Sequence, residues 1–225
     1  MIIVTYIEHS GFFVELSDKA LLFDYFKGKI PETDKPLYIF SSHRHKDHFN
    51  KKIFDIKSEK IILSNDIRAV PTINTVKIGP NKETDIDGLR IKTLRSTDEG
   101  VAFIIEYNGV VIYHAGDLND WYWKGEDEKQ NENMTKSYRR IILKGFSEIP
   151  KVDIAFLPVD PRLEEYCGRG ADFFLDNVRA EHIFPMHFWG GYKTVGDYIK
   201  TRKENIYNIT KAPQVFEIQE KGANV

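Results

Sequence analysis

Short extended-type runs dominate the first half of the chain, and they restrict its fold more than any other feature. Residues 2–7, 12–16, 21–26 and 37–40 are apolar or alternate apolar with polar, with turn-forming residues between them. The pattern returns over residues 60–63, 75–78, 89–94, 101–107 and 110–113. The last two runs flank Asn108-Gly109, a pair that tolerates positive φ at both positions and so closes a tight hairpin. Helical patterning is confined to a short segment over 49–57 and to the second half. There, residues 119–145 read as a polar loop leading into an amphipathic helix, and 171–179 and 195–204 read as two further helices. Strands over 152–157, 183–185 and 215–218 separate or follow them. Strands first, then helices interleaved with strands, predict a layered α/β arrangement whose sheet faces are covered by helices. There is no internal repeat and no low-complexity tract.

A chain of 225 residues with 41% hydrophobic and 29% charged residues is expected to form one compact domain, 1–225, with a real core. The formal net charge of -2 offers no overall basic surface, so no nucleic-acid partner is expected. The single cysteine, Cys167, cannot form an internal disulfide, which points to a reducing compartment. The apolar run at residues 1–6 is too short for a signal peptide, and no stretch reaches membrane-spanning length. The expectation is a cytoplasmic protein with no membrane partner.

Chemistry concentrates at His43, Arg44, His45, Lys46, Asp47 and His48, directly after the strand over 37–40 and the pair Ser41-Ser42. Imidazoles with a carboxylate are the donor set of zinc and, with more oxygen donors, of manganese or iron. If extended geometry persists, His43 and His45 face one way and can grip one ion, while a turn brings Asp47 and His48 to another. Arg44 and Lys46 then face away from the metals.

The run matches the pattern H-x-H-x-D-H, and here the chain resembles the metallo-β-lactamase superfamily, in particular its cytoplasmic hydrolase branch that includes ascorbate-6-phosphate lactonase. Three further segments carry the resemblance in the family's order: His9-Ser10-Gly11-Phe12 leading to Leu22-Phe23-Asp24, then His114-Ala115-Gly116-Asp117, then Phe184-Pro185-Met186-His187. The resemblance implies a four-layer αββα sandwich with the site at the sheet ends. It implies His43 and His45 on one metal, Asp47, His48 and His187 on a second, and Asp117 between them. The family usually supplies one more histidine before the bridging aspartate, in a stretch that here reads Arg95-Ser96-Thr97-Asp98-Glu99-Gly100. Asp98 is the best replacement because a carboxylate ligates zinc directly, and His114 is a second possibility.

Other polar and aromatic residues carry less weight. His9 and Asp24 fall where the opening strands approach the pocket, yet each also suits a turn or an edge. His182 reads as structural, and Cys167 has no evident base beside it. Trp121-Tyr122-Trp123 and the stretch from Phe188 to Tyr192 follow proposed ligand segments, where aromatics can wall a small-molecule pocket or simply pack under a loop.

The expected cofactor is one or two divalent metal ions, zinc first, with manganese or iron as alternatives. Zinc lowers the pKa of bound water from 15.7 to about 7, so hydroxide is the expected nucleophile. Asp47 and Asp117 would orient it and accept its proton. The expected reaction is hydrolysis of a small-molecule ester or lactone. A phosphodiesterase on the same site and a di-iron redox protein on the same scaffold are the rivals. Oligomeric state is not legible.

Overall fold

The computed structural model describes residues 1–68 and 72–219. Its strands are β1 (Ile2–Glu8), β2 (Gly11–Glu15), β3 (Ala20–Phe23), β4 (Leu37–Ser41), β5 (Lys60–Ser64), β6 (Thr75–Ile78), β7 (Glu83–Ile86), β8 (Leu89–Arg95), β9 (Val101–Tyr107), β10 (Val110–His114), β11 (Val152–Pro158), β12 (Ala180–Met186) and β13 (Gln214–Ile218). They form two mixed sheets, one ordered β13-β1-β2-β3-β4-β5-β6 and the other β12-β11-β10-β9-β8-β7.

Alternation along the first sheet decides how the sheets stack. Val14, Leu21, Phe23, Tyr38, Phe40 and Ile62 enter the larger core, shared with the second sheet. Their neighbours Phe13, Ala20, Leu22, Leu37, Ile39, Ile61 and Leu63 fall on the opposite face, in a second apolar cluster. Aromatic rings bridge the sheets: Phe12 and Phe156 lie 4.3 Å apart and Phe40 and Phe103 5.4 Å apart, centre to centre. Each such fully buried ring contributes about 1.5–3 kcal/mol relative to exposure.

Helices α1 (Glu128–Gly145) and α2 (Arg169–Asn177) pack on the second sheet. Helix α1 buries Asn131, Thr135, Tyr138 and Ile142, the four-three-four spacing of one helical face, and Asp127 caps its start by accepting from the Gln130 amide. Helix α3 (Tyr192–Ile199) buries Val195 and Tyr198. Over the outer face of the first sheet the layer is thin. A 3-10 helix, Lys51–Asp55, inserts Ile53, with Phe49, Phe54 and Ile56 around it. The result is the expected α/β sandwich of the metallo-β-lactamase type, with that outer layer reduced to a 3-10 turn.

Several boundaries differ from the sequence reading. The helix expected over 49–57 is only the 3-10 turn. The one expected over 171–179 starts at Arg169 and ends at Asn177, where extended Val178 leads into β12. The last helix runs Tyr192–Ile199 and stops early because the Thr201 hydroxyl turns back to the Tyr198 carbonyl and Ile206 pairs beside Ile183. Strand β7 and the 3-10 helix Pro161–Tyr166 were not anticipated. No helix among the described residues is long and apolar enough to cross a membrane.

Candidate metal centre

The ends of strands from both sheets deliver the site. Strand β4, parallel to β3 and β5, stops at Ser41, and the run His43 to His48 follows as bends and turns rather than extended chain. Strands β10, β11 and β12, mutually parallel, release Asp117, Asp160 and His187 just past their carboxyl ends. Asp98 sits in the β8–β9 loop and His9 in the β1–β2 turn. Carboxyl ends of parallel strands are where such sheets leave an open crevice.

Two glycines allow the loops to meet. At Gly100 (φ +69°) a Cβ would lie 2.0 Å from the Ser42 carbonyl oxygen and 2.6 Å from the His43 Cβ. At Gly116 (φ +52°) it would lie 2.7 Å from the Ser42 Cβ. The Ser42–His43 backbone is thus gripped from two sides, and the Val101 amide donates to the Ser42 carbonyl at 2.9 Å. His9, Asp24, His187 and Trp189 also have positive φ, 57°, 41°, 62° and 51°. Non-glycine residues held there cost on the order of 1–3 kcal/mol each, so the surrounding packing imposes these conformations at the site.

Asp117 is the hub. Its Oδ2 lies 3.4 Å from His43 Nε2, while its Oδ1 lies 3.1 Å from His48 Nε2 and 3.4 Å from His187 Nε2. One carboxylate therefore faces two groups of nitrogens, as a bridging ligand would. His43 Nε2 is 3.1 Å from His45 Nδ1, and His45, Asp98 and Asp117 converge within ligating range of one another. On the other side Asp47 Oδ2 lies 3.2 Å from His9 Nε2, 3.8 Å from His48 Nε2 and 3.9 Å from His187 Nε2. All seven residues expected as ligands come together: His43, His45, Asp47, His48, Asp98, Asp117 and His187.

His9 joins them, which the sequence reading had not put among the ligands. Its ring is buried, 2% exposed, and completes a group with Asp47, His48 and His187. Its place right after the apolar run of β1, opposite Asp24, was the only available signal. His114 does not join: its Nε2 donates to the Ser10 carbonyl at 3.0 Å and its Nδ1 accepts from the Gly116 amide at 3.2 Å. With both nitrogens engaged it braces the floor of the site, and of the two candidates it is Asp98 that lies within ligating range of His45 and Asp117.

The residues fit a cation. His9 Nε2, His48 Nε2, His187 Nε2 and Asp117 Oδ1 are all buried, and no hydrogen bond satisfies any of them. Buried polar atoms are nearly always paired, so a convergent set of orphaned donors marks a charge that the side chains themselves do not supply. The far ring nitrogens are fixed. Asp24 Oδ2 accepts from His48 Nδ1 at 2.7 Å and from the Ser42 hydroxyl at 2.6 Å, and that hydroxyl lies 3.0 Å from His43 Nδ1. Asp160 Oδ2 accepts from His187 Nδ1 at 2.9 Å. Each arrangement leaves Nε2 free to ligate.

The electrostatics agree. Burial holds His43 and His9 down at about 4, so both stay neutral at pH 7. Burial also disfavours charge on His48, but Asp117 and Asp24 outweigh it and raise its pKa well above the ordinary histidine value. Burial of Asp117 is likewise overcome by His48 and His187, which hold the carboxyl well below the usual range. Burial and the neighbouring Asp117 push Asp98 up, as expected of a carboxyl crowded against another without a cation between them.

Above the cluster lies a cavity of about 320 Å³ lined by His45, Asp47, Asp98, Asp117, Trp121, Trp123, Met134, Arg162 and His187. Trp121 and Trp123 thus wall it, whereas Tyr122 turns outward onto Glu128 and Tyr166. The Trp189 ring packs against His9 at 4.3 Å, tilted by 56°, while Phe188 and Tyr192 pack in the core. Arg44 pairs with Glu99, and neither it nor Lys46 lines the cavity. His182 bonds Tyr207, and Cys167 is half-buried with its thiol pushed up by burial, as suits structural residues.

A sequence model described as the Beta-lactamase superfamily domain matches residues 3–131. The chain belongs to that superfamily. Metal-dependent hydrolases of Pyrococcus furiosus and Pyrococcus abyssi are 24% and 28% identical to it over 211 and 215 residues, 84% of this chain and 85% of each relative. Among solved structures, the metallo hydrolase Igni18 of Ignicoccus hospitalis superposes with a TM-score of 0.62 at 16% identity, covering 97% of this chain and 99% of that one. CmlA, a diiron β-hydroxylase from Streptomyces venezuelae, superposes at 0.63 with 9% identity, covering 96% of this chain but 54% of its own. At such identities these structures establish a shared fold. The chain is accordingly a metal-dependent hydrolase of the metallo-β-lactamase superfamily.

Proposed function

We propose that this hydrolase cleaves a small-molecule carboxylic ester or lactone, with Asp47, His48, His187 and His9 holding one divalent ion, His43, His45 and Asp98 a second, and Asp117 shared. The observation that carries the reading is the set of orphaned buried atoms on His9, His48, His187 and Asp117, of which His187 and Asp117 line a cavity sized for a small molecule. Ions of the zinc type supply an acidified water and a Lewis acid for a carbonyl oxygen when bound.

The chain's own groups do the rest. Asp47 is partly exposed, 22% accessible at its side chain, so it can take a proton from the attacking water and release it to solvent. Its carboxyl is buried enough to favour the neutral form, but His9, 3.2 Å away, and His48 outweigh this and keep it ionised. Asp117, nearly sealed, orients rather than exchanges protons. Trp121, Trp123 and Met134 narrow the cavity and exclude bulk water from the scissile bond. No serine or cysteine nucleophile is needed.

The carboxylate at Asp98 in place of an imidazole favours a second reading, a redox pair of irons, because more oxygen donors suit iron. Elemental analysis of protein purified without added metal, followed by an ester, lactone and phosphodiester panel, separates the two. Zinc or manganese with ester or lactone turnover lost on chelation is expected. Full activity after exhaustive metal removal refutes the hydrolytic proposal, and iron with visible absorption and no turnover favours the redox one.

A further inference from the structure

The cavity over the cluster contains one cationic side chain that hydrolysis itself does not use. Arg162 lines it beside Asp47, Asp117 and His187. Its guanidinium is held before any ligand arrives. Nε donates to both Asp160 oxygens at 3.0 and 2.9 Å, and Nη2 donates to Oδ2 at 2.5 Å. The Trp189 and Trp123 rings lie 4.9 and 5.6 Å from its Cζ, within cation–π range. Asp160 thus takes the Nε–Nη2 edge. Nη1 makes no hydrogen bond or ion pair among the described residues, and the side chain remains 46% exposed.

A guanidinium immobilised on one edge and packed by two indole rings, in a side chain that lines the reaction cavity, is preorganised to receive an oxyanion. Little rotamer entropy is left to lose on binding, and charge-assisted hydrogen bonds from arginine to carboxylate or phosphate are among the stronger ones. We propose that Arg162 anchors the substrate and that the substrate is an ester or lactone carrying an anionic oxygen group, a carboxylate or a phosphate. That group sits on the Nη1 edge beside Trp123 and Trp189 while the scissile carbonyl reaches the histidine and aspartate cluster. The assignment rests on the hydrolytic reading of the site. It also explains why a cation persists in a cavity whose other ionisable walls are His45, Asp47, Asp98, Asp117 and His187.

Arg162 has a second contact that the test must separate. Asp160 also accepts from His187 Nδ1, so losing Arg162 loosens a proposed ligand. That effect strikes every substrate alike, whereas loss of an anchor strikes anionic ones selectively. The measurement is therefore a ratio: kcat/KM for mono(4-nitrophenyl) succinate over kcat/KM for neutral 4-nitrophenyl acetate, in wild type, R162K and R162Q of matched metal content. The ratio is expected to fall about tenfold or more in R162Q, mainly through KM, and less in R162K. Separately, tryptophan fluorescence of the protein as purified is titrated with succinate and with inorganic phosphate. A saturable change is expected that weakens about tenfold or more in R162Q, and the better of the two ligands identifies the anionic group. An unchanged ratio, or equal titrations of wild type and R162Q, overturns the anchor. If neither ester is cleaved, the hydrolytic reading fails for these substrates while the titration still decides the anchor.

Discussion

Replacing Asp24 by Asn tests the site at its least conspicuous support. Asp24 is 1% exposed and touches no substrate cavity. Its Oδ1 accepts from the Ser42 amide at 2.7 Å, and its Oδ2 accepts from the Ser42 hydroxyl and from His48 Nδ1. Because that hydroxyl is spent on Asp24, its oxygen can accept from His43 Nδ1, so one carboxylate dictates the tautomer of both histidines. In D24N the shape is kept, but an NH2 group replaces the oxygen that faced Ser42 and His48. The amide now donates to His48 Nδ1, which moves the proton to Nε2, the atom needed for a metal. Ser42, receiving a donor from the new amide, is free to donate to His43 and drive the same shift there. Supporting partners of this type are worth 10- to 100-fold in metal affinity, about 1.4–2.7 kcal/mol per ion. Zinc affinity by chelator competition should fall in that range, while denaturant unfolding of the metal-free protein changes less. D24A, which strands three donors in the interior, should instead cost the metal-free fold on the order of 3 kcal/mol or more. Wild-type zinc affinity in D24N would refute the tautomer argument.

Further outcomes follow from the same geometry. His9→Ala should lower metal content or affinity on the Asp47 side, measured by elemental analysis and competition titration; unchanged binding would return His9 to the role of a turn residue. Asp98→Ala should reduce a two-ion protein to one ion, and unchanged stoichiometry would show that the first site is closed by another group. Gly116→Ala adds a Cβ 2.7 Å from Ser42 at a φ of +52°, so a loss of about 2–4 kcal/mol in denaturant unfolding is expected, against no loss if the loop can yield. For pH, His9 and His43 are held near 4 in the fold, against 6.5 when unfolded. Between those values the unfolded chain binds more protons, so stability falls as pH drops. Metal-free protein should lose about 2 kcal/mol per histidine from pH 7 to pH 5, and His9→Asn should remove about half of that slope. The raised His48 acts in the opposite sense, contributing below 6.5 and losing its contribution as pH climbs through its folded pKa.

What was legible in the sequence follows from how local each cause is. Strands were readable because alternation is local: Phe13 and Phe12 must part to opposite faces whatever lies beyond. The hairpin at Asn108-Gly109 was equally local, with φ of 48° and 78°. The same signal stood unread at Asp87-Gly88, φ 52° and 83°, where it joins β7 to β8; Glu83–Ile86 is too polar and short to announce a strand without its partner. Helix limits near Arg169 and Ile199 depended on contacts with β12 and the segment that follows, which periodicity does not contain. The metal run was legible because its donors are adjacent, and Asp117 and His187 because each ends an apolar run. His9 was not, because its role comes from a turn that bends it back over Asp47, a relation between residues 38 positions apart. Arg162 was further still from view. Nothing in Pro161-Arg162-Leu163 signals that Trp123 and Trp189 will flank the arginine from two separate loops, or that Asp160 will pin it while also bracing His187. Ligands that end strands can be read one segment at a time, whereas the groups that orient those ligands and select the substrate exist only once the two sheets have brought their loops together.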